Sequence, residues 1–344
     1  MPSRCMGHCV VMPRLRTVSP DTLGFTRRRA GSGFVYLDHD GLRITADDVV
    51  ERIRSLAIPP AWKDVWICPF PNGHIQAVGT DDAGRRQYLY HQDWRIKRDK
   101  MKFDRVLSAA HKLPAARRAI ARDLALEGMP LEKASSVAVR LLDLGYFRIG
   151  SDIYAETNGS FGLTTLEKRH VRRQRDRLVF RFTGKSGIEH SIEIDDPEVL
   201  LALESLRKRR GGSTRLLAYQ LERRWRDLDS ASVNTYLSGH LEDLTAKDFR
   251  TWHATVLAAA ALAASDEPGD TKRSRQRAIK AAVGEVAEYL GNTPTIAKNS
   301  YIDPRVIDLY ENGTTIDAEL VHKKYRSPAA KQRTLEAAVL ELLS

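Results

Sequence analysis

Arg148, Lys185, Arg250, Asn292 and Tyr301 are residues of the types that phosphodiester chemistry uses, and each stands beside a local signal that fixes its place in the chain. Breaking a phosphodiester takes a nucleophile, cations to neutralise the equatorial oxygens of the transition state, and a proton for the departing oxygen. A metal ion can do most of this. No acidic cluster of the usual Mg-binding kind stands out, so arginine and lysine are the cations to consider. Arg148 follows a helical pattern closed by Gly145, which lets its side chain project from a helix end. Thr245 and Asp248 make a capping-box-like start for a helix through Ala264, putting Lys247 and Arg250 in its first turn or so. Gly291 stops a helix over 275–290 as a left-handed cap, Asn292 falls in the loop behind it, and Pro294 starts another short helix. Tyr301 lies at the far end of that helix, just before Asp303 and Pro304. Taken singly, each has an ordinary structural role open to it: surface salt bridge for Arg148, turn residue for Asn292, amphipathic core residue for Tyr301.

Lys185 is placed by a different signal. LVFRF (178–182) and IEHSIEI (188–194) both alternate, and TGKSG between them supplies turn residues, so Lys185 is expected at a hairpin tip. Gly184-Lys185-Ser186 imitates the end of a Walker A loop. That motif needs glycine five positions before Gly184, where Val179 stands, and a following helix where strand periodicity follows instead. A nucleotide site is therefore not expected.

The elements that must hold these residues fall into two groups. Residues 20–95 carry short alternating segments (GFVYLD, LRIT, VWICPF, HIQAVGTD, RQYLYH) punctuated by Gly, Pro, Asn and Asp, the mark of a small β-rich domain. After Trp94 a charged stretch leads into amphipathic and Ala-rich patterns at 103–126, 131–143, 197–209, 214–228, 246–264, 275–290 and 328–343. The expected fold is α+β: an N-terminal extension (1–19), a β-rich domain (20–95) and a larger, mainly helical domain (96–344) with a small β-hairpin carrying Lys185.

Composition bounds the function. The 344 residues suffice for about two domains. With 42% hydrophobic and 29% charged residues the chain reads as soluble and globular. The most apolar stretch, 252–264, is well short of the ~18 residues a membrane span needs. The N-terminus lacks the apolar core and cleavage site of a secretory signal, and three cysteines fit a reducing cytoplasm. Cys5, His8 and Cys9 make half a metal site with no second pair, so no metal is expected. Fifty-five Lys and Arg against 44 Asp and Glu leave +11, which favours a polyanionic partner, nucleic acid before membrane. Lys168–Lys185 and Arg207–Arg226 each hold eight basic residues and one acid, and such paired runs favour phosphate contact.

Read together, the motifs resemble the type IB DNA topoisomerases, specifically the short poxviral and bacterial branch. FRIG (147–150) with Tyr154, FTGKSG (182–187), LTAKDFRTW (244–252) and GNTPTIAKNSYIDP (291–304) match that family's boxes in order, and GRRQYLY (84–90) resembles its DNA-clamping N-terminal element. The resemblance covers roughly residues 20–344. It implies a catalytic domain of the topoisomerase and tyrosine recombinase kind, and a 3′-phosphotyrosyl intermediate formed by Tyr301. Arg148 and Arg250 would grip the non-bridging oxygens, Asn292 would donate to one of them, and Lys185 would protonate the leaving 5′-oxygen. Lys247 would have an auxiliary role, and Gln87, Tyr88, Tyr90 and Tyr154 would contact DNA. Strand rotation would relax supercoils of either sign without ATP, metal or other cofactor. The implied partner is duplex DNA, clamped by a monomer with residues 91–100 as hinge, in the cytoplasm at the nucleoid.

The implied roles make chemical sense. A phenol titrates near ~10 and is a poor nucleophile until it is aligned and surrounded by cations. Planar guanidiniums match phosphate oxygens in pairs where an ammonium gives only a point charge. Asn292 stands where poxviral and eukaryotic relatives carry histidine, and an amide donates a hydrogen bond without transferring a proton. Two rivals share parts of the pattern. A tyrosine recombinase has similar Arg, Lys and Tyr chemistry but more usually leads with a helical DNA-binding domain. A DNA-architectural protein would keep the basic surface without the five reactive positions.

Overall fold

The computed structural model describes residues 14–344 apart from 146, 151, 153, 154, 156–158, 243 and 266–270. The expected contact residue Tyr154 and the cluster Cys5, His8 and Cys9 lie outside the described residues. The chain divides into two units, Met1–Lys102 and Phe103–Ser344.

The first unit is built on an antiparallel sheet of five strands: β1 (Phe25–Ala30), β2 (Gly33–Leu37), β3 (Lys63–Ile67), β4 (Ile75–Thr80) and β5 (Arg86–Tyr90), in the order β2-β1-β3-β4-β5. Helix α1 (Asp47–Ser55) lays Ile53 against Val65, Ile67 and Ala77 to form a small core. Strand β1 escapes the sequence reading because half of FTRRRA is charged. Its Arg27 spends that charge locally, donating to the carbonyls of Ile58, Pro59 and Trp62 and covering the Phe34 ring at 4.2 Å. Conversely LRIT forms no strand, only an isolated bridge between Arg43 and Leu37.

The second unit is mainly helical. Helix α2 (Gln92–Leu124) begins in the first unit, so the charged stretch after Trp94 is itself helical. It is followed by α3 (Leu131–Asp143), α4 (Pro197–Lys208), α5 (Ser230–Leu241), α6 (Ala246–Ala263), α7 (Lys272–Leu290), α8 (Pro294–Ser300), α9 (Pro304–Glu311), α10 (Glu319–His322) and α11 (Pro328–Leu343). One continuous core runs through these helices, centred on fully buried residues such as Leu141, Leu142, Leu203 and Phe249. None of the described helices is long and apolar enough to cross a membrane.

Two small sheets interrupt the helices. Strands β6 (Val171–Gln174), β7 (Arg177–Thr183) and β8 (Glu189–Ile194) pair antiparallel in that order, so the two strands expected around Lys185 gain a third. The second sheet corrects the sequence reading outright. Residues 214–228, expected as helix, contain the hairpin β9 (Ala218–Leu221) and β10 (Arg224–Asp227). Its turn residues Glu222 and Arg223 both have positive φ, 48° and 65°, the left-handed pair that a two-residue hairpin turn requires. Glycine or asparagine normally announces that turn; a Glu-Arg pair conceals it.

Candidate active site

The site gathers at the C-terminal end of α7. Gly291 takes φ 59° and ψ 48°, a left-handed cap, and the Asn292 amide folds back to the Ala287 carbonyl at 2.9 Å. This turn leaves the carbonyls of Leu290 and Gly291 pointing outward as acceptors, and two arginines take them. Arg148 Nη2 donates to Leu290 O, Gly291 O and Asn292 Oδ1 at 3.1, 3.2 and 3.0 Å. Arg250 Nη2 donates to Leu290 O at 2.6 Å.

Each partner arrives by its own device. Arg148 lies in the extended segment after α3, held by Leu163 N donating to Arg148 O at 2.8 Å and Thr164 N to Ile149 O at 2.9 Å. That pairing brings Gly150 and Gly162 so close that a Cβ on Gly162 would lie 2.4 Å from Gly150 Cα, while Gly150, the glycine of the FRIG box, has φ 94° and a Cβ there would lie 3.0 Å from the Gly162 carbonyl carbon. Phe147 anchors the segment, almost fully buried, with its ring edge-on to Phe180 at 5.1 Å. Arg250 stands in the first turns of α6, whose start is set by Asp248 accepting from Thr245 N at 2.9 Å and Thr245 Oγ1 at 2.8 Å. Asp248 also accepts two hydrogen bonds from Arg105, each at 2.9 Å, pinning α6 to α2.

Tyr301 caps the C-terminal end of α8, half-buried, with Arg250 Cζ 5.7 Å from its ring centroid. Helix α6 also steadies the backbone here: Thr255 Oγ1 accepts from Asp303 N at 3.1 Å and lies 3.3 Å from the Tyr301 carbonyl. Asp303 then caps α9 by accepting from Arg305 N.

The electrostatics of this cluster are uncompensated. Arg250 is only 5% exposed. Burial, helped by repulsion from Arg148, brings its pKa down to about 10, while the Tyr301 hydroxyl works in the opposite sense. Burial lowers Arg148 too, against the pull of Tyr301. Among the described residues neither arginine forms an ion pair. Arg250 Nε and Asn292 Nδ2 are buried with no hydrogen-bond partner there. Buried donors are rarely left so.

Of the expected site residues, Arg148, Arg250, Asn292 and Tyr301 are thus brought together. Lys185 is exposed, in a single 3-10 turn (Lys185–Gly187) between β7 and β8. The flanks of that turn approach the cap: a Cβ on Gly291 would lie 3.8 Å from His190 Cε1 and 3.9 Å from Ile188 Cδ1. Lys247 is exposed in the first turn of α6. Gln87, Tyr88 and Tyr90 belong to the first unit. Tyr88 and Tyr90 stack on one face of β5 at 5.9 Å, while Gln87 donates to Asp81. His190 escapes the sequence reading, although alternation in IEHSIEI already puts it on the same strand face as the buried Ile192 and Ile194.

Comparison with known proteins identifies the family. The family described as eukaryotic DNA topoisomerase I, catalytic core, matches residues 91–324, and that of bacterial DNA topoisomerase IB, N-terminal domain, matches residues 33–81. A DNA topoisomerase 1B of Acanthamoeba polyphaga mimivirus is 30% identical over 298 residues, covering 84% of this chain and 88% of the viral protein. The DNA topoisomerase I of monkeypox virus and the DNA topoisomerase 1B of vaccinia virus (strain Copenhagen) are each 22% identical over 308 residues, covering 83% of this chain and 90% of theirs. The chain belongs to the short type IB DNA topoisomerases, enzymes of the isomerase class.

Proposed function

We propose that this topoisomerase nicks one strand of duplex DNA through Tyr301, lets the broken strand rotate, and reseals it without ATP or metal. The Tyr301 phenol gives up its proton to solvent as its oxygen attacks phosphorus, a 3′-phosphotyrosyl bond forms, and the bond to the 5′-oxygen breaks. Lys185 gives that oxygen its proton. Arg148 and Arg250 hold the non-bridging oxygens, where paired guanidinium donors meet the negative charge of the transition state, and Asn292 donates its amide to one of them. Resealing runs the same bonds backwards: the 5′-hydroxyl displaces the phenolate, and the ester has kept the energy that this requires. Torque of either sign drives rotation in between, so positive and negative supercoils both relax.

The observation that carries this reading is the unpaired character of the cluster. Two arginines and an amide share one helix cap beside a phenol, with vacant buried donors and, among the described residues, no carboxylate paired to either arginine. A phosphate supplies what is missing. Lys185 joins the reading through its turn, whose flanks reach the same cap, and the catalytic domain is of the kind shared with tyrosine recombinases.

Around this centre, Lys247 contacts the DNA backbone, as does Tyr154. Gln87, Tyr88 and Tyr90 do so from the β-rich unit, and the protein clamps duplex DNA as a monomer. The bacterial description of the N-terminal match, together with asparagine at position 292, favours a bacterial enzyme acting at the nucleoid. Incubation with supercoiled plasmid in EDTA without nucleotide tests the proposal. Relaxation of both positive and negative supercoils is expected, and a requirement for metal, ATP or paired recombination sites contradicts it.

A further inference from the structure

His190 has no part in the reaction just described, yet it lies at its centre. Its imidazole stacks on Phe182 with ring centroids 5.1 Å apart and planes 26° from parallel, bridging β8 to β7 at the base of the Lys185 turn. Its Cε1 faces the α7 cap, 3.8 Å from where a Cβ on Gly291 would lie. On a third side it meets Gly184, the residue before Lys185: a Cβ there would lie 2.6 Å from both Cδ2 and Nε2 of the imidazole. Gly184 has φ −95° and ψ −164°, which any residue adopts. The backbone therefore does not call for glycine here. The histidine ring does.

The turn itself is short and has little else to hold it. Gly184 N donates to Ile188 O at 2.7 Å and Gly187 N to Gly184 O at 3.2 Å, and Thr183 Oγ1 bonds Glu189 across the strands. These bonds shape the turn, and Phe161 N donating to Thr183 O at 2.8 Å ties its base to the stretch that pairs with the Arg148 segment, but none of them reaches the α7 cap. His190 packs between Phe182 and Gly184 on the side that faces Gly291, with Ile188 beside it.

We infer that His190 is a positioning residue for Lys185: its ring fixes the Gly184–Gly187 turn against the α7 cap and so sets where the lysine ammonium meets the leaving oxygen. The inference rests on the proposed acid role of Lys185. Burial and the neighbouring Arg148 and Arg250 hold the imidazole below the usual histidine range, against Glu189, so it is neutral at neutral pH and serves as a packing group.

The test compares cleavage of ordinary duplex DNA with cleavage of DNA carrying a 5′-bridging phosphorothiolate at the scissile position, whose thiolate leaves without a proton. His190→Ala is expected to cleave ordinary DNA slower by on the order of a hundredfold, as for a group misplaced by about an ångström. It should recover most of its rate on the phosphorothiolate, in step with Lys185→Ala. Gly184→Ala, which pushes the ring aside, should behave the same way and should cost much less in a His190→Ala background, where the added methyl meets space. Full activity of His190→Ala on ordinary DNA overturns the inference. So does a defect that persists on the phosphorothiolate while Lys185→Ala recovers, since that marks general loss of structure. If Lys185→Ala itself fails to recover, the acid role falls, and the Gly184 and His190 pair alone decides whether the ring places the turn. Additive losses in that pair reject it. Should His190→Ala not fold, Gly184→Ala decides between the same two outcomes through its own rates on the two substrates.

Discussion

Two buried arginine clusters in the helical unit have opposite electrical character. Arg117 and Arg140 are enclosed by carboxylates: Arg117 pairs with Asp143 at 2.7 Å and Glu336 at 2.6 Å, and Arg140 with Asp143 at 3.0 Å and Asp196 at 2.6 Å. Burial works to lower both arginines, but these carboxylates outweigh it and raise their pKa values. Arg148, half-buried, and Arg250, buried, lie against carbonyls, an amide and a phenol, and their pKa values fall. The same residue type joins α2, α3 and α11 in one place and, among the described residues, has no carboxylate partner in the other. A buried cation without a counter-charge weakens the free fold, and at an active site that cost is the sign of a ligand's charge to come.

Swapping each arginine for a similar-sized apolar residue breaks the comparison most severely. Arg117→Met leaves Glu336 buried without its arginine and Asp143 with Arg140 alone, and is expected to lose about 3–5 kcal/mol of stability in denaturant unfolding. Arg250→Met removes an uncompensated charge and should leave the midpoint unchanged or higher. Equal destabilisation by the two would erase the distinction. The activities should divide the other way. Arg250→Ala is expected to slow cleavage by on the order of 10²–10³, the effect of removing one preorganised donor to developing charge. Single-turnover cleavage of duplex DNA measures this.

How much of this is legible in the chain follows from distance along it. The cap residues Gly291 and Asn292, the Thr245–Asp248 helix start and the Lys185 turn are local signals, so the site residues beside them can be named from spacing and from the family boxes. The Arg117, Asp143 and Glu336 cluster joins residues far apart in sequence, and nothing in their neighbourhoods marks one as the partner of another. His190 sits in a pattern whose alternation announces a strand and says nothing of what its side chain meets. In the first unit, the basic strand β1 is hidden because it lacks the apolar alternation that marks a strand. The Glu222-Arg223 turn is hidden because it lacks the residues that usually supply positive φ.

Smaller effects sharpen the contrast. Asn292→Ala removes the vacant amide donor and should slow cleavage by roughly tenfold to a hundredfold, the equivalent of about 1.5–3 kcal/mol for a hydrogen bond to a charged group. Acid should act on the paired cluster. Burial works to raise Asp143, but Arg117, His253 and Arg140 together hold it below the usual carboxylate range. Its contribution to stability is therefore fully present above the unfolded value near ~4 and lost as the pH falls through the lower folded value. Unfolding free energy measured across that window should fall less steeply in Asp143→Asn than in the unaltered protein. An unchanged slope would assign the acid sensitivity to other carboxylates.

The most direct test of a phosphate-receiving cluster around a phenol is to stop the reaction with detergent on a nicked duplex and map the covalently bound residue by peptide mass spectrometry. The account predicts a 3′-phosphoryl nucleotide on Tyr301, and none from Tyr301→Phe although that variant still binds DNA. A linkage to any other residue, or an undiminished adduct from Tyr301→Phe, contradicts it.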